Sequence, residues 1–371
     1  MSRPLFLSVV MPARNGHDVL PLALEALTQC DFPRDRWELI VVDDASTDDT
    51  ATIAARFADA VIKIPGRAHG PAYARNRGAE VARGDVLVFF DADVVVHSDT
   101  LRRFAELLEA RPDIGGAFGS YDDRPPAKGM MSQYRNLLHH YTHQQNGGDV
   151  ASFWAGAGAI RRNVFLDAGM YDEWHFARPQ IEDIELGQRI CRMGQRLVLQ
   201  PDIQVTHLKH WTFGSVVRTD LRDRGIPWAR LLAHSGGMLK VGTLNLKWTE
   251  KLNVILVWAA VLFLGLWLPL RDNRLVFAAL GFLAVVVLTN WRMLAFFARV
   301  RGVFFALRVI PAHLLYYLLN GISFGTGLLL QQAVGAPLPD PTIEAWHEVG
   351  VQRWPPIPSK HRRSTWTAGN E

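Results

Sequence analysis

Between Leu252 and Leu270 the chain carries no charge, and Asn253 is the one strongly polar side chain in the stretch. A helix needs about 20 apolar residues to cross the hydrocarbon core of a bilayer, so this segment has the length of a span. Two more uncharged stretches follow, Leu275 to Thr289 and Val309 to Val334, and Arg271-Asp272-Asn273-Arg274 makes a hairpin between the first two. Before Glu250 apolar runs stay short and alternate with charged, helix-like stretches. The mean hydropathy of +0.04 therefore averages two unlike parts. The expected organisation is a soluble domain over 1–245, about three hydrophobic helices with an interfacial segment over 246–335, and a Pro-rich polar tail over 336–371.

The segment from Trp291 to Arg308 sets Arg292, Arg299, Arg301 and Arg308 among Phe296, Phe297, Phe304 and Phe305. A basic amphipathic segment of this kind suits the cytoplasmic surface of a membrane and orients the hairpin outward. The first domain is then expected in the cytoplasm, held at the inner membrane by a multi-pass region. Three spans would put the tail outside, where Arg353, Lys360, Arg362 and Arg363 conflict with the charge rule, although most lie beyond its reach of about 15–20 residues. A re-entrant third segment, allowed by Pro311, Gly321 and Gly325, removes the conflict. Gly321 and Gly325 also read as a small-residue packing face. Trp228, Trp248 and Trp258 fit an interfacial aromatic belt. The net charge of +4 is small for 371 residues, and no basic-aromatic stripe in the first half points to nucleic acid. Two cysteines, Cys30 and Cys191, exclude a disulfide scaffold.

In the first domain, Leu5 to Met11 is too short for a signal-peptide core and reads as a buried strand. Further strands are expected at Trp37 to Val42, Val61 to Ile64 and Asp85 to Phe90, with helices at Val19 to Cys30 and Tyr73 to Arg83. Continuous apolar strands alternating with helices predict an α/β domain with a mostly parallel sheet covered on both faces. Such sheets bind ligands beyond the carboxyl ends of their strands. Acids fall at two of those ends: Asp43-Asp44 after the second strand and Asp91-Ala92-Asp93 after the fourth. Two carboxylates converging in a cleft repel unless a cation joins them, and hard oxygen ligands suit Mg²⁺ or Mn²⁺. The competing role for each acid is ordinary turn and helix capping. Arg75 and Arg77 suit a diphosphate, or equally a solvated helix face.

The order of the pieces is more specific than any one. Val9-Val10-Met11-Pro12-Ala13-Arg14-Asn15, then Val41-Val42-Asp43-Asp44-Ala45-Ser46-Thr47-Asp48, then Ala74-Arg75-Asn76-Arg77-Gly78, then Asp91-Ala92-Asp93, resembles a family-2 glycosyltransferase of the A-type fold. Phe153-Trp154-Ala155-Gly156-Ala157-Gly158 resembles the family's acceptor-side segment, and Ile181-Glu182-Asp183-Ile184-Glu185 its Glu-Asp motif at a helix start. The resemblance runs from about Leu5 to Trp211. It implies an inverting transfer from a nucleotide-diphosphate sugar, UDP- or GDP-linked. By that resemblance Pro12, Ala13, Arg14, Asp43, Asp44, Arg75, Asp91 and Asp93 hold the donor, with Asp44 against the base or ribose. Asp91, Asp93 and His207 are the candidate metal ligands. Asp183, with Glu182 beside it, is the candidate base. Phe153, Trp154 and Gly156 lie toward the acceptor.

The family's processive members carry Gln-x-x-Arg-Trp after the Glu-Asp motif. Here that region reads His207-Leu208-Lys209-His210-Trp211, and Gln352-Arg353-Trp354 lies in the tail, which argues for transfer of a single sugar. Arg218, Arg222 and Arg224 suit a diphosphate, an acceptor phosphate or lipid headgroups. His139, His140 and His143 read as part of an amphipathic helix rather than a metal site. A domain held at a membrane suggests a lipid-linked or hydrophobic acceptor. A soluble or polysaccharide acceptor with a mere anchor, and a non-catalytic scaffold, remain as alternatives. The scaffold is expected to have lost Asp91, Asp93 or Asp183, and all three are present.

Overall fold

The computed structural model describes residues 3–176, 178–234 and 247–338. In chain order the strands are β1 (Leu7–Ala13), β2 (Trp37–Asp44), β3 (Ala60–Ile64), β4 (Val86–Phe90), β5 (Val94–Val96), β6 (Ile114–Tyr121), β7 (Gly148–Val150), β8 (Ala157–Arg161) and β9 (Arg196–His207). The helices of the first domain are α1 (Leu20–Thr28), α2 (Thr50–Ala54), α3 (Pro71–Val81), α4 (Thr100–Ala110), α5 (Met130–Gln144), α6 (Arg162–Asp167), α7 (Glu182–Arg192), α8 (Phe213–Arg218) and α9 (Ile226–His234). A π-helical turn, Thr219–Gly225, joins the last two.

The strands form one mixed sheet in the order β3-β2-β1-β4-β8-β6-β9-β5, with β7 against β9. The expected parallel core is its first half: β1 pairs in parallel with β2 and β4, and β2 with β3. The second half is built differently. β8 runs antiparallel to β4 and β6, and β5 and β7 run antiparallel to β9. Residues of β1 alternate between two cores: Leu7, Val9 and Met11 face α1 and α4, while Val10 faces α3 and α7. This is the two-sided burial that continuous apolar strands require. Each such buried side chain contributes about 1.5–3 kcal/mol. Gly78 lets α3 approach β1, because a Cβ there would overlap Val10.

Beyond the first domain come α10 (Trp248–Leu270), α11 (Asn273–Thr289), α12 (Trp291–Arg301) and α13 (Val303–Val334). α10 and α13 are long and apolar enough to cross a membrane, and α11 with α12 makes a third candidate if a pair bent by 64° counts as one span. The basic aromatic segment divides at Gly302, whose positive φ ends α12. The third hydrophobic stretch is one continuous helix through Pro311. The Trp258 indole lies against Gly321, where a Cβ would overlap it, while Gly325 faces open space. Trp228 packs against the core beside α3 and α7. The expected boundary at 245 and the tail beyond 338, including Gln352-Arg353-Trp354, lie outside the described residues.

Candidate active site

The carboxyl ends of β1 and β2 meet as a stitched pair of turns. The Asn15 N–H donates to Ser46 Oγ (2.9 Å), and the Thr47 N–H donates to Asn15 Oδ1 (2.9 Å). Asn15 and Ala45 both hold positive φ, at 47° and 54°, a conformation that concentrates at functional sites. Asp43 is buried and accepts the Ser46 N–H (3.1 Å). Asp44 is buried too, and its two oxygens accept the His69 and Gly70 N–H groups, each at 2.8 Å. It thereby fixes the Gly66–Gly70 loop that leads into α3. Of the expected donor residues here, Arg14 is exposed, Pro12 half-buried and Ala13 buried.

α3 carries Arg75 inward. Its side chain is 5% exposed, and it donates to Asp91 Oδ1 (2.7 Å) and to Glu182 Oε1 (3.2 Å). Burial alone would lower its pKa, but the charges of Asp91, Tyr171 and Glu182 raise it, so Arg75 is a permanent cation. One guanidinium thus ties the end of β4 to the start of α7. Its Nε is buried without a partner. Glu182 is further held by the Gln180 N–H on Oε2 (2.8 Å).

Asp93 lies on the other side of that turn. β5 pairs antiparallel with β9 so that Val94 faces His207, and Leu208 N–H donates to the Asp93 carbonyl (2.8 Å). This pairing brings His207 Nε2 to 3.5 Å from Asp93 Oδ2. His207 Nδ1–H donates to Asn136 Oδ1 (2.6 Å), and the ring stacks on Tyr121 at 4.2 Å and 9°. With the proton on Nδ1, the Nε2 lone pair faces the Asp93 carboxylate. Two electron-rich groups at that distance repel unless a proton or cation lies between them. The donor set, one carboxylate oxygen and one imidazole nitrogen, fits Mg²⁺ or better Mn²⁺, with further positions left for phosphate oxygens and water. Burial alone would raise the Asp93 carboxyl; with a proton on His207 Nε2, the hydrogen bond and charge of that ring, and then Lys209, bring it below its ordinary value. The expected trio is not assembled: Asp91 turns to Arg75, and among the described residues no three metal-ligating side chains converge.

Asp183 opens α7. Its Oδ1 accepts the Ile184 N–H (2.9 Å). Burial, and then the charge of Glu182, push its pKa up to about 7, with Arg75 and Arg224 opposing. Gly187 lets α7 lie against the backbone of Ser152 and Phe153, where any Cβ would overlap. Phe153 itself is 1% exposed and packs edge-on to Phe89 and Phe118, so its ring is part of the core. Trp154 is half-buried, edge-on to Tyr121 (4.6 Å) and His143 (5.1 Å), and its indole covers Gly156.

Two residues escaped the sequence reading. Tyr121, at the end of β6, is buried, and after burial itself the charges of Asp93, Asp91, Arg224 and Asp183 all bear on its hydroxyl. It therefore lies within electrostatic reach of Asp93, Asp91 and Asp183. Asn136, on α5, sets the His207 tautomer. Neither belongs to a recognisable motif, so no signal in the sequence marks them. α5 also presents His139 to Arg224 Nη1 (3.4 Å), and burial and then Arg224 hold that imidazole neutral. The π-turn bearing Arg224 is pinned to α5 by a buried Arg135–Asp220 pair (2.8 Å). π-turns recur at functional sites.

Residues 8–169 match the model of Glycosyl transferase family 2. The "Probable glycosyltransferase YdaM" of Bacillus subtilis is 27% identical over 207 residues, covering 52% of this chain and 48% of its own, so the chain spans about half of that relative's length. A Methanococcus voltae protein named dolichyl N-acetyl-alpha-D-glucosaminyl phosphate 3-beta-D-2,3-diacetamido-2,3-dideoxy-beta-D-glucuronosyltransferase is 21% identical over 279 residues, 70% of this chain and 82% of its own. The fold is similar to that of a Pyrobaculum calidifontis mannosyltransferase solved with GDP-Man and Mn²⁺ (TM-score 0.52, 20% identity, 87% of this chain and 88% of that one). Residues 8–169 are thus a glycosyl transferase family 2 domain, and the chain has the A-type nucleotide-sugar transferase fold followed by apolar C-terminal helices.

Proposed function

We propose that the chain is a membrane-anchored, inverting glycosyltransferase that moves one sugar from a UDP- or GDP-linked donor to a lipid-linked acceptor. The observation that carries this reading is the pairing of a carboxylate raised to about 7, Asp183, with the Asp93–His207 lone-pair contact around one tyrosine. A pKa near the working pH is what a general base needs. Asp183 would take the proton of an acceptor hydroxyl through its free carboxylate oxygen as that hydroxyl attacks the anomeric carbon. Arg75 holds Asp91 and Glu182 in place. Asp93 and His207 would hold Mg²⁺ or Mn²⁺, which when bound neutralises charge developing on a departing diphosphate. The stitched turns at Asn15 and Ala45 wall the nucleotide side. The apolar helices, and the lipid-linked substrate in the name of the Methanococcus relative, support the lipid acceptor and a place at the cytoplasmic face of the cell membrane.

The test is thermal stabilisation of the detergent-purified chain by UDP, GDP, CDP and TDP, each with Mn²⁺ and with EDTA. A ligand at about 100 times its Kd adds about 2.7 kcal/mol. The expected result is a Tm rise with one nucleotide that EDTA removes. No rise with any nucleotide overturns the reading.

A further inference from the structure

α13 has the length and apolarity of a span, yet its contacts run along the first domain from one end to the other. Near its start Ala306 and Val309 share a cluster with Tyr134 and Leu137 of α5 and with Phe297 of α12. His313 Nδ1 meets the Tyr134 hydroxyl at 2.9 Å. Farther along, Ser323 Oγ donates to the Asp220 carbonyl (3.1 Å), and Gly327 lets the helix approach Ala229 of α9. Just past its end, Arg230 donates to the Gly335 carbonyl (2.6 Å). At 1.5 Å per residue, Ala306 and Gly335 lie about 44 Å apart, more than the roughly 30 Å of a hydrocarbon core. A spanning α13 would carry the Arg135–Asp220 pair, Arg224 and Arg230 into lipid, where charges are costly.

The opposite side of the helix is apolar, and it is bare at its two ends. At 100° per residue, Phe304 (84% exposed), Leu307 (56%), Ile322 (39%) and Leu329 (68%) fall on one side, with Arg308 near its start; Leu314 and Leu318 between them pack on the α10–α11 hairpin, and the exposed Phe324 and Val334 lie off this side. The α10–α11 hairpin leaves the same surface, joined through Tyr317, Val257 and Val286. Its outer half is uncovered, with Leu262, Leu268, Leu270 and Phe277 all exposed. Exposed Trp248 and Trp291 mark its base, and Trp267, under the Arg271 guanidinium at 5.3 Å, marks its tip. Trp248 and Trp267 are about 29 Å apart along the helix, one bilayer core.

We infer that α13 does not cross the membrane: it lies in the boundary of one leaflet and seats the catalytic domain on the lipid surface through the Phe304–Leu329 stripe, while the α10–α11 hairpin alone crosses. The domain takes the place of the polar face that an interfacial helix normally turns to water. An even number of crossings returns Leu338 to the side of the catalytic domain, which also resolves the charge conflict of a three-span topology. This inference rests on the membrane association proposed above.

The test uses the full chain with Cys30→Ser and Cys191→Ser, and single cysteines at Glu25 (catalytic domain), Asn273 (hairpin tip) and Leu338, labelled by an impermeant maleimide in sealed vesicles of each orientation. Glu25→Cys and Leu338→Cys are expected to label from one side and Asn273→Cys from the other. Labelling of Leu338→Cys together with Asn273→Cys overturns the inference, as does labelling of all three from one side. Release of the chain by carbonate washing sinks membrane association itself and is read separately. A nitroxide-quenched fluorophore at Leu307, Ile322 and Leu329 is expected at one shallow depth. A deep Ile322 between two shallow neighbours identifies a span.

Discussion

Asp91-Asp93 and Glu182-Asp183 are two acid pairs on different elements, and they are divided in the same way. In each, one carboxylate is bound by Arg75 and the other is not. The two remaining acids then diverge. Asp93, beside His207 and Lys209, is held below its ordinary value, whereas Asp183, beside the like charge of Glu182, is raised to about 7. One residue type becomes a ligand at one position and a base at the other because its surroundings differ. The shared arginine fixes both without touching the chemistry.

Exchanging the two remaining acids for amides breaks the comparison most sharply. Asp93→Asn and Asp183→Asn are each expected to lower turnover by about 10³-fold or more while the chain still folds, since each removes a group required in the reaction step. Only Asp93→Asn should weaken Mn²⁺-dependent nucleotide binding. Normal turnover by Asp183→Asn would remove the base from that position. Next comes the tie itself. Arg75→Met leaves the buried Glu182 and the part-exposed Asp91 without their cation, a change of about 3 kcal/mol. A first domain of this size should lose on the order of 10 °C in Tm, read by circular dichroism. A loss of activity with an unchanged Tm would mean that Arg75 binds donor instead.

The chain's own titration sharpens the comparison. If Asp183 must be ionised to accept a proton, kcat/KM should rise with pH and level off above about 7. The stability sign is opposite. With a folded pKa above the unfolded value near 3.9, the folded state holds the extra proton between those two values, so this group's contribution is lost as pH rises through about 7. Asp183→Asn should therefore gain a few degrees over the unmodified chain at pH 8 and little at pH 5. A gain that is equal at both would contradict the raised carboxyl. The smallest expected effect is that of Asn136→Ala, which frees the His207 tautomer and should weaken Mn²⁺ binding about 10- to 100-fold with nucleotide binding in EDTA unchanged.

Much of this was legible along the chain. The four parallel strands and the helices between them follow from local hydrophobic pattern, and the acids appear where strands end. The antiparallel half of the sheet was not visible, because β5 and β8 are short and take their places only by pairing with β9 and β4. His207 was a candidate ligand from its position after the last strand, but its partner Asn136 and the stacked Tyr121 come from α5 and β6, which carry no motif. Asp91 was expected beside Asp93 on a metal, and the arrival of Arg75 from α3 separates them. Phe153 was expected at the acceptor, and the β4 and β6 aromatics enclose it.

The membrane region divides along the same line. Uncharged length is a local property, so the sequence alone determined which segments can live in lipid, and the turn Arg271–Arg274 determined that two of them form a hairpin. Whether an apolar helix crosses or lies flat is set by what covers its other side. For α13 that cover is the first domain, from Tyr134 to Arg230, assembled from residues far away in the chain. Hydrophobicity is read residue by residue, whereas burial, pairing and the pKa of a carboxylate belong to the neighbours that only the folded chain supplies.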